Sequence, residues 1–254
     1  MARQIDGILF DLGDTLLEFG QVDVPSLFEA GAKLAYEYLR KLGKKLPPFP
    51  KYHRQQLWAV RWNYFKSRLT NREFNSLDLI GRLSKRMGHG LNHDHVLELA
   101  WLWYEPLSRS ACVEPGLRTT LETLRDMGMK LGLISNTFIP GQVLDRHLAA
   151  AGLLDLLSVR IYSCDVVYRK PHRRIFELAL KQANLSASKT IFVGDSPQAD
   201  ITGANRAGMI SVLKSPKNPA GTGISTPAHR IDRISQLVEI VENYNAPADK
   251  SPRD

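Results

Sequence analysis

The sequence predicts a doubly wound α/β fold, a parallel sheet with helices on both faces, carrying an α-helical cap inserted after the first strand. Three observations carry that expectation. Short apolar runs end in polar clusters; in the second half such runs alternate with helix-length periodic segments; and residues 19–111 show helix-type periodicity with no convincing strand.

The strands come first. Ile8-Leu9-Phe10 before Asp11, Leu131-Gly132-Leu133-Ile134 before Ser135, and Ile191-Phe192-Val193 before Gly194-Asp195 are near-continuous apolar runs, as expected of parallel strands buried on both faces. Val159-Arg160-Ile161-Tyr162 and Ile210-Ser211-Val212-Leu213 fit the same sheet. Helical patterns over 116–127, 140–151, 172–183 and 198–207 lie among them. In sheets of this kind ligands sit outside the carboxyl ends of the strands, so the three polar clusters are expected to share one crevice.

The cap is expected over 18–112, dividing a core of 1–17 and 113–246, with a flexible tail at 247–254. Pro47-Pro48-Phe49-Pro50 and Gly88-His89-Gly90 mark turns within the cap, and Glu114-Pro115-Gly116 marks the return to the sheet. A surface loop is expected over 215–227, rich in Pro, Gly, Ser and Thr, and a closing helix over 234–244.

A chain of 254 residues with 43% hydrophobic and 24% charged residues matches an ordinary globular protein. No apolar run approaches the roughly 18 residues that span a bilayer. The opening Met1-Ala2-Arg3-Gln4-Ile5-Asp6 lacks the order of a secretion signal, so a cytoplasmic protein is expected, without membrane partners. Cys112 and Cys164, with no CxxC spacing, are expected to be reduced and packed.

The net charge of +8 is concentrated in part between residues 40 and 72, among Tyr52, Trp58, Trp62, Tyr64 and Phe65. That pattern invites a nucleic-acid reading, but no nucleic-acid-binding motif accompanies it. Leu57, Trp58, Val60, Trp62, Phe65 and Leu69 instead predict an amphipathic helix with a solvated basic side. Arg54, Arg61, Trp62, Arg68 and Trp103 are candidate liners of the cap mouth, where positive charge would attract an anionic substrate. A monomer or a homodimer is expected.

Four motifs occur in order: Phe10-Asp11-Leu12-Gly13-Asp14-Thr15-Leu16, Ile134-Ser135-Asn136-Thr137, Tyr168-Arg169-Lys170-Pro171-His172 and Gly194-Asp195-Ser196-Pro197-Gln198-Ala199-Asp200. Together they resemble the haloacid dehalogenase-like hydrolase superfamily, over nearly the whole chain and including a helical cap after the first motif. The resemblance implies a Rossmann-like core and phosphoryl-transfer chemistry on a small phosphorylated substrate, with Mg2+ as cofactor.

Physical chemistry supports the roles. A carboxylate at the end of a buried strand can attack phosphorus in line and form an aspartyl-phosphate that water hydrolyses, which makes Asp11 the expected nucleophile. Mg2+ takes oxygen ligands, for which Asp11 and Asp195 are the candidate carboxylates, with Asp200 orienting ligands or waters. The resemblance adds the backbone carbonyl of Gly13 as a metal ligand and Thr15 among the phosphate-binding residues. Ser135 and Asn136 are expected to offer donors to the phosphate, and Lys170 its positive charge.

One position departs from the pattern. The resembling phosphatases carry a second Asp two residues after the nucleophile, as general acid and base, and here that residue is Gly13. A positioned acid or base typically contributes on the order of 10²–10⁴ in rate. Asp14 is the nearest substitute, although alternation along a strand would turn it away from the side of Asp11. Good leaving groups, such as those of acyl or aryl phosphates, would then be favoured. Phosphonatase-like and dehalogenase-like branches also lack the second Asp, and a catalytically weak phosphate-binding regulator is the expectation from another class.

Overall fold

The computed structural model describes residues 4–70, 72–214 and 225–246. Six strands form one parallel sheet: β1 (Gly7–Phe10), β2 (Lys130–Ser135), β3 (Val159–Tyr162), β4 (Thr190–Gly194), β5 (Ile210–Lys214) and β6 (His229–Ile231), in the order β3-β2-β1-β4-β5-β6. β1 lies at the centre, where both faces of a parallel strand must be covered, and all four of its residues are buried. Register sets Phe10 level with Leu133 and with Val193, so the residues just past them converge at one edge of the sheet. β6 is three residues long and was not expected from the sequence, because a run so short and polar carries no alternation signal.

Side chains alternate between the two faces as strand geometry requires. Ile8, Phe10, Leu131, Leu133, Ile191 and Val193 join one core, and Leu9, Ile134 and Phe192 join the other. The first core is covered by α5 (Leu117–Asp126), α6 (Gly141–Ala150) and α10 (Leu237–Asn245). The second is covered by α8 (Arg173–Ala183) and α9 (Thr202–Ala207), with the single-turn α7 (Ser163–Val166) following β3. The chain is therefore an α/β protein with a Rossmann-like doubly wound sheet, as the alternation of runs implied.

Between β1 and α5 lie four helices: α1 (Val24–Lys41), α2 (Phe49–Thr70), α3 (Ser76–Arg86) and α4 (His93–Ser110). Each of α1, α3 and α4 is opened by a short polar side chain that accepts a backbone N–H: Asp23 from Ser26, Asn75 from Leu77 and Asn92 from His95. Glu18 and Cys112 exchange two backbone hydrogen bonds, of 2.8 and 2.7 Å, which join the entrance of this insertion to its exit. Cys112 is exposed, Cys164 is buried, and both are free. No helix among the described residues is long and apolar enough to cross a membrane. The expected tail at 247–254 lies outside the described residues, as does most of the expected loop at 215–227.

α2 corrects the sequence expectation. Most of its predicted apolar stripe turns outward, leaving Trp58, Trp62, Phe65 and Leu69 exposed, Trp58 by 65% and Leu69 by 68%, while Leu57 and Val60 are half-buried. The buried face instead carries Tyr52, Gln56, Ala59 and Ser67. Spacing identifies a stripe but not its direction, and here the inner face is fixed by polar contacts: the Ser67 hydroxyl donates to Glu73 at 2.9 Å and accepts from Arg169 at 2.8 Å. The outward aromatics stack on one another, with Trp58 and Trp62 6.0 Å apart between ring centres.

Candidate active site

Asp11 is the first residue beyond β1, anchored by its N–H donating to the Val193 carbonyl at 2.8 Å. Strand parity puts its side chain on the side of Leu9 and Phe192, where Lys170 also lies. The Lys170 ammonium donates to Asp11 Oδ1 at 2.6 Å and sits 2.7 Å from Asp200 Oδ1, with a side chain only 1% exposed. Burial alone would strip its proton, but the two carboxylates outweigh that effect and hold its pKa above the ordinary lysine value.

Asn136, just past β2, fixes the position of Lys170. Its Oδ1 accepts the Lys170 N–H at 2.7 Å and its Nδ2 donates to the Lys170 carbonyl at 2.9 Å. Both ends of the amide are thus engaged by the lysine backbone, and Asn136 also lines the cleft. Ser135 ends β2 and lines the same cleft.

Asp195 and Asp200 follow β4. A π-helical turn over Pro197–Ile201 brings Asp200 back beneath the strand end, where its Oδ2 accepts the Ser196 N–H at 2.9 Å. Gly194 makes this possible, since a Cβ there would overlap the Asp200 carboxylate. Asp11, Asp195 and Asp200 each present an oxygen within 4.8 Å of the others. Asp11 is raised above the usual carboxylate range by burial, against the pull of Lys170. Asp195 and Asp200 are pushed up to about 6, in each case chiefly by burial, with a neighbouring carboxylate adding to it and Lys170 opposing. Three crowded carboxylates against one ammonium leave an excess of negative charge, and an all-oxygen donor set of this kind suits a hard dication.

The cleft, about 390 Å³, is lined by Asp11, Gly13, Ser135, Lys170 and Asp200 and, from the insertion, by Tyr64, Glu73, Tyr104 and Leu107. The expected mouth residues Arg54, Arg61, Trp62, Arg68 and Trp103 do not line it: α2 contributes Tyr64 instead, and Trp103 packs inside the insertion. Thr15 also departs from expectation: it is fully buried outside the cleft, and its carbonyl accepts from the Lys214 ammonium at 2.9 Å. Asp14 sits in a turn with φ of 53°, exposed, its carboxylate accepting the Phe19 N–H at 3.0 Å. The strand has ended before it, so alternation does not govern it; it lies outside the cleft lining, though its charge adds to the upward push on Asp195.

Glu73 and Arg169 were not singled out by the sequence. They pair at 3.3 Å across the seam between insertion and sheet, and Ser67 and Ser163 both donate to the Glu73 carboxylate. The Glu73 N–H donates to the Val167 carbonyl, the Ser76 N–H to the Phe138 carbonyl, and Phe74 stacks on Phe138 at 5.1 Å. The one available signal was that Arg169 precedes Lys170.

A carboxylate held by a buried lysine beside two further acids, all at the carboxyl ends of a doubly wound sheet, defines a hydrolase-type acidic site. The chain matches the haloacid dehalogenase-like hydrolase family over residues 5–208 and belongs to it. It is 30% identical to the glyceraldehyde 3-phosphate phosphatase of Pyrococcus abyssi over 94% of each chain. It is 25% identical to the ribulose-1,5-bisphosphate 5-phosphatase of Halopiger xanaduensis, over 92% of this chain and 98% of that one. Among solved structures it resembles a 2-haloacid dehalogenase from Pseudomonas syringae pv. tomato, with a TM-score of 0.63, 25% identity, and 94% and 99% of the two chains covered.

Proposed function

We propose that the chain is a Mg2+-dependent phosphatase that hydrolyses a small phosphorylated metabolite through an aspartyl-phosphate on Asp11. The observation that carries this is the Asp11 carboxylate at the end of β1, with one oxygen fixed by Lys170 at 2.6 Å. An oriented carboxylate can meet phosphorus in line, and Lys170 supplies charge where the phosphoryl oxygens gather. Asp11, Asp195, Asp200 and the Gly13 carbonyl are the groups that would hold Mg2+, which when bound neutralises phosphoryl charge. Asn136 keeps Lys170 in place, and Ser135 offers a hydroxyl to the phosphate. Helices α1–α4 serve as a cap (18–112) over the mouth. The relatives support the reading, since two that align over nearly the full length carry phosphatase names.

The dehalogenase neighbour favours a second reading, attack on carbon with release of halide. Retention of Asp195 speaks for the phosphatase, because metal-free attack on carbon leaves that carboxylate without an ion-pair partner, whereas Asp200 already has Lys170. The test measures inorganic phosphate released from a panel of phosphate monoesters, with Mg2+ and with EDTA, alongside halide release from 2-chloropropionate. Phosphate release that depends on Mg2+ and is abolished in Asp11→Asn, a variant with the parent melting temperature, is the expected result. Turnover by Asp11→Asn near the parent rate would sink the nucleophile assignment; halide release without phosphate release would install the second reading.

A further inference from the structure

Beside the catalytic cleft lies a second cavity, about 150 Å³, lined by α1, α2, α3, α4 and the segment after β2. Leu27, Leu79, Leu83 and Ala100 are among its apolar lining, and of its lining residues only Gln56, Ser76, Trp103 and Tyr104 carry a polar side-chain atom. The Tyr104 hydroxyl is hydrogen-bonded to His147 Nδ1 at 2.9 Å, which leaves the ring as its contribution to the wall. An apolar cavity of this size accommodates a six-membered ring.

The two spaces share a wall. Tyr104, Leu107, Phe138 and Ile139 line both the cleft and the cavity. The path between them is short, because Ser135 at the cleft floor and Ile139 at the cavity wall are four residues apart on one segment, a reach of roughly 14 Å at most. A phosphate held at Asp11 would therefore direct its ester substituent at this wall.

The acids in the cleft add an independent constraint on what that substituent is. The carboxyls that line the cleft are paired with cations, Asp11 and Asp200 with Lys170 and Glu73 with Arg169, and Asp195 beside them is assigned to the metal in the reading above. Position 13, beside the reacting group, is Gly and has no proton to give. A leaving oxygen that departs without a proton must be a stable anion, as an aryloxide is and an alkoxide is not.

We propose that the cavity is the subsite for the organic part of the substrate, and that this part is a compact aromatic group carried as an aryl phosphate monoester. The inference rests on the phosphatase reading above. The bond from phosphorus to the aryl oxygen breaks as an Asp11 oxygen bonds to phosphorus, and the electron pair leaves on the aryloxide, which takes its proton from water. Water then hydrolyses the aspartyl-phosphate, restoring the carboxylate and releasing inorganic phosphate.

The experiment compares kcat/KM for phenyl phosphate and for glyceraldehyde 3-phosphate in the full-length chain and in two variants that fill the cavity from different helices, Ala100→Leu on α4 and Leu83→Phe on α3. The parent should favour phenyl phosphate, and each folded variant should shrink that preference by roughly 10-fold or more, the scale on which apolar pockets discriminate by a few methylenes. A parent that favours the triose phosphate, or a preference unchanged in both variants, overturns the substrate assignment. A parallel arm needs no turnover: benzene should raise the melting temperature of the parent saturably, and less in both variants. No saturable rise in the parent overturns the cavity as a ligand site. If neither ester is hydrolysed, the phosphatase reading fails, and the benzene arm still decides whether the cavity binds an aromatic group.

Discussion

Gly13→Asp is the substitution that tests most directly how the proposed reaction is limited. A Cβ at position 13 would meet only the Phe19 ring, at 3.8 Å, an ordinary contact, and Gly13 is not among the glycines with positive φ. The backbone therefore accepts a side chain without strain, and the variant should fold like the parent. The new carboxyl would join the lining of the cleft, to which Gly13 already belongs, at the edge of a cluster where burial and its neighbours hold Asp195 near 6. The same surroundings should raise the new group into the range where it can both give and take a proton near neutral pH. A positioned acid/base contributes on the order of 10²–10⁴, so an alkyl phosphate such as glycerol 3-phosphate should gain roughly 100-fold or more in kcat. Phenyl phosphate should gain far less, because its leaving group departs without help. Steady-state phosphate release from both esters, with melting temperatures to certify the fold, is the assay. A folded variant with no gain on the alkyl ester would refute the idea that a missing proton donor limits the reaction.

Three further expectations follow from the same geometry. Asp195 and Asp200 titrate near 6 rather than at their ordinary 3.8, so protons bind the fold more tightly than the unfolded chain. The metal-free protein should accordingly lose that stability as pH rises from about 4 through about 6, and Mg2+ should raise the melting temperature at pH 7.5 but little at pH 5; an equal rise at both would discount these carboxylates as ligands. Lys170→Met leaves Asp11 and Asp200 buried without a cation, and denaturant unfolding of the metal-free variant should register a loss of roughly 3–5 kcal/mol; a loss under about 1 kcal/mol would mean that water reaches the cluster. Asn136→Ala removes two hydrogen bonds to the Lys170 backbone, worth roughly 1 kcal/mol each, and should lower kcat on the order of 10²-fold through a displaced ammonium. Unchanged stability with lost phosphate affinity would return Asn136 to direct contact.

Much of the framework was legible because parallel strands and their polar ends leave compact local signals. Ile8-Leu9-Phe10-Asp11 needs no tertiary information to be read as a buried strand delivering an acid, and its register against β2 and β4 brings Ser135 and Asp195 to the same edge. Asn136 and Thr15 were harder, since adjacency in sequence to Ser135 and Asp11 does not say which way a side chain points once the strand has ended. Thr15 turns into the interior, and Asn136 finds a backbone 34 residues away. Such roles are set by contacts distant in sequence, and a motif records only that the residue is present.

α2 makes the same point about faces. Trp58, Trp62, Phe65 and Leu69 recur at i, i+4, i+7 and i+11, and periodicity assigns them one side of a helix. Which side is inward depends on what the opposite face offers. There Ser67 joins Glu73 and Arg169, a buried acid and a guanidinium that must be satisfied together once the insertion meets the sheet. An unpaired Glu73 in that seam would cost more than exposing one more aromatic ring costs. The polar network therefore wins the inner face, and in doing so places Glu73 and Arg169 at the rim of the cleft, beside the lysine that holds Asp11.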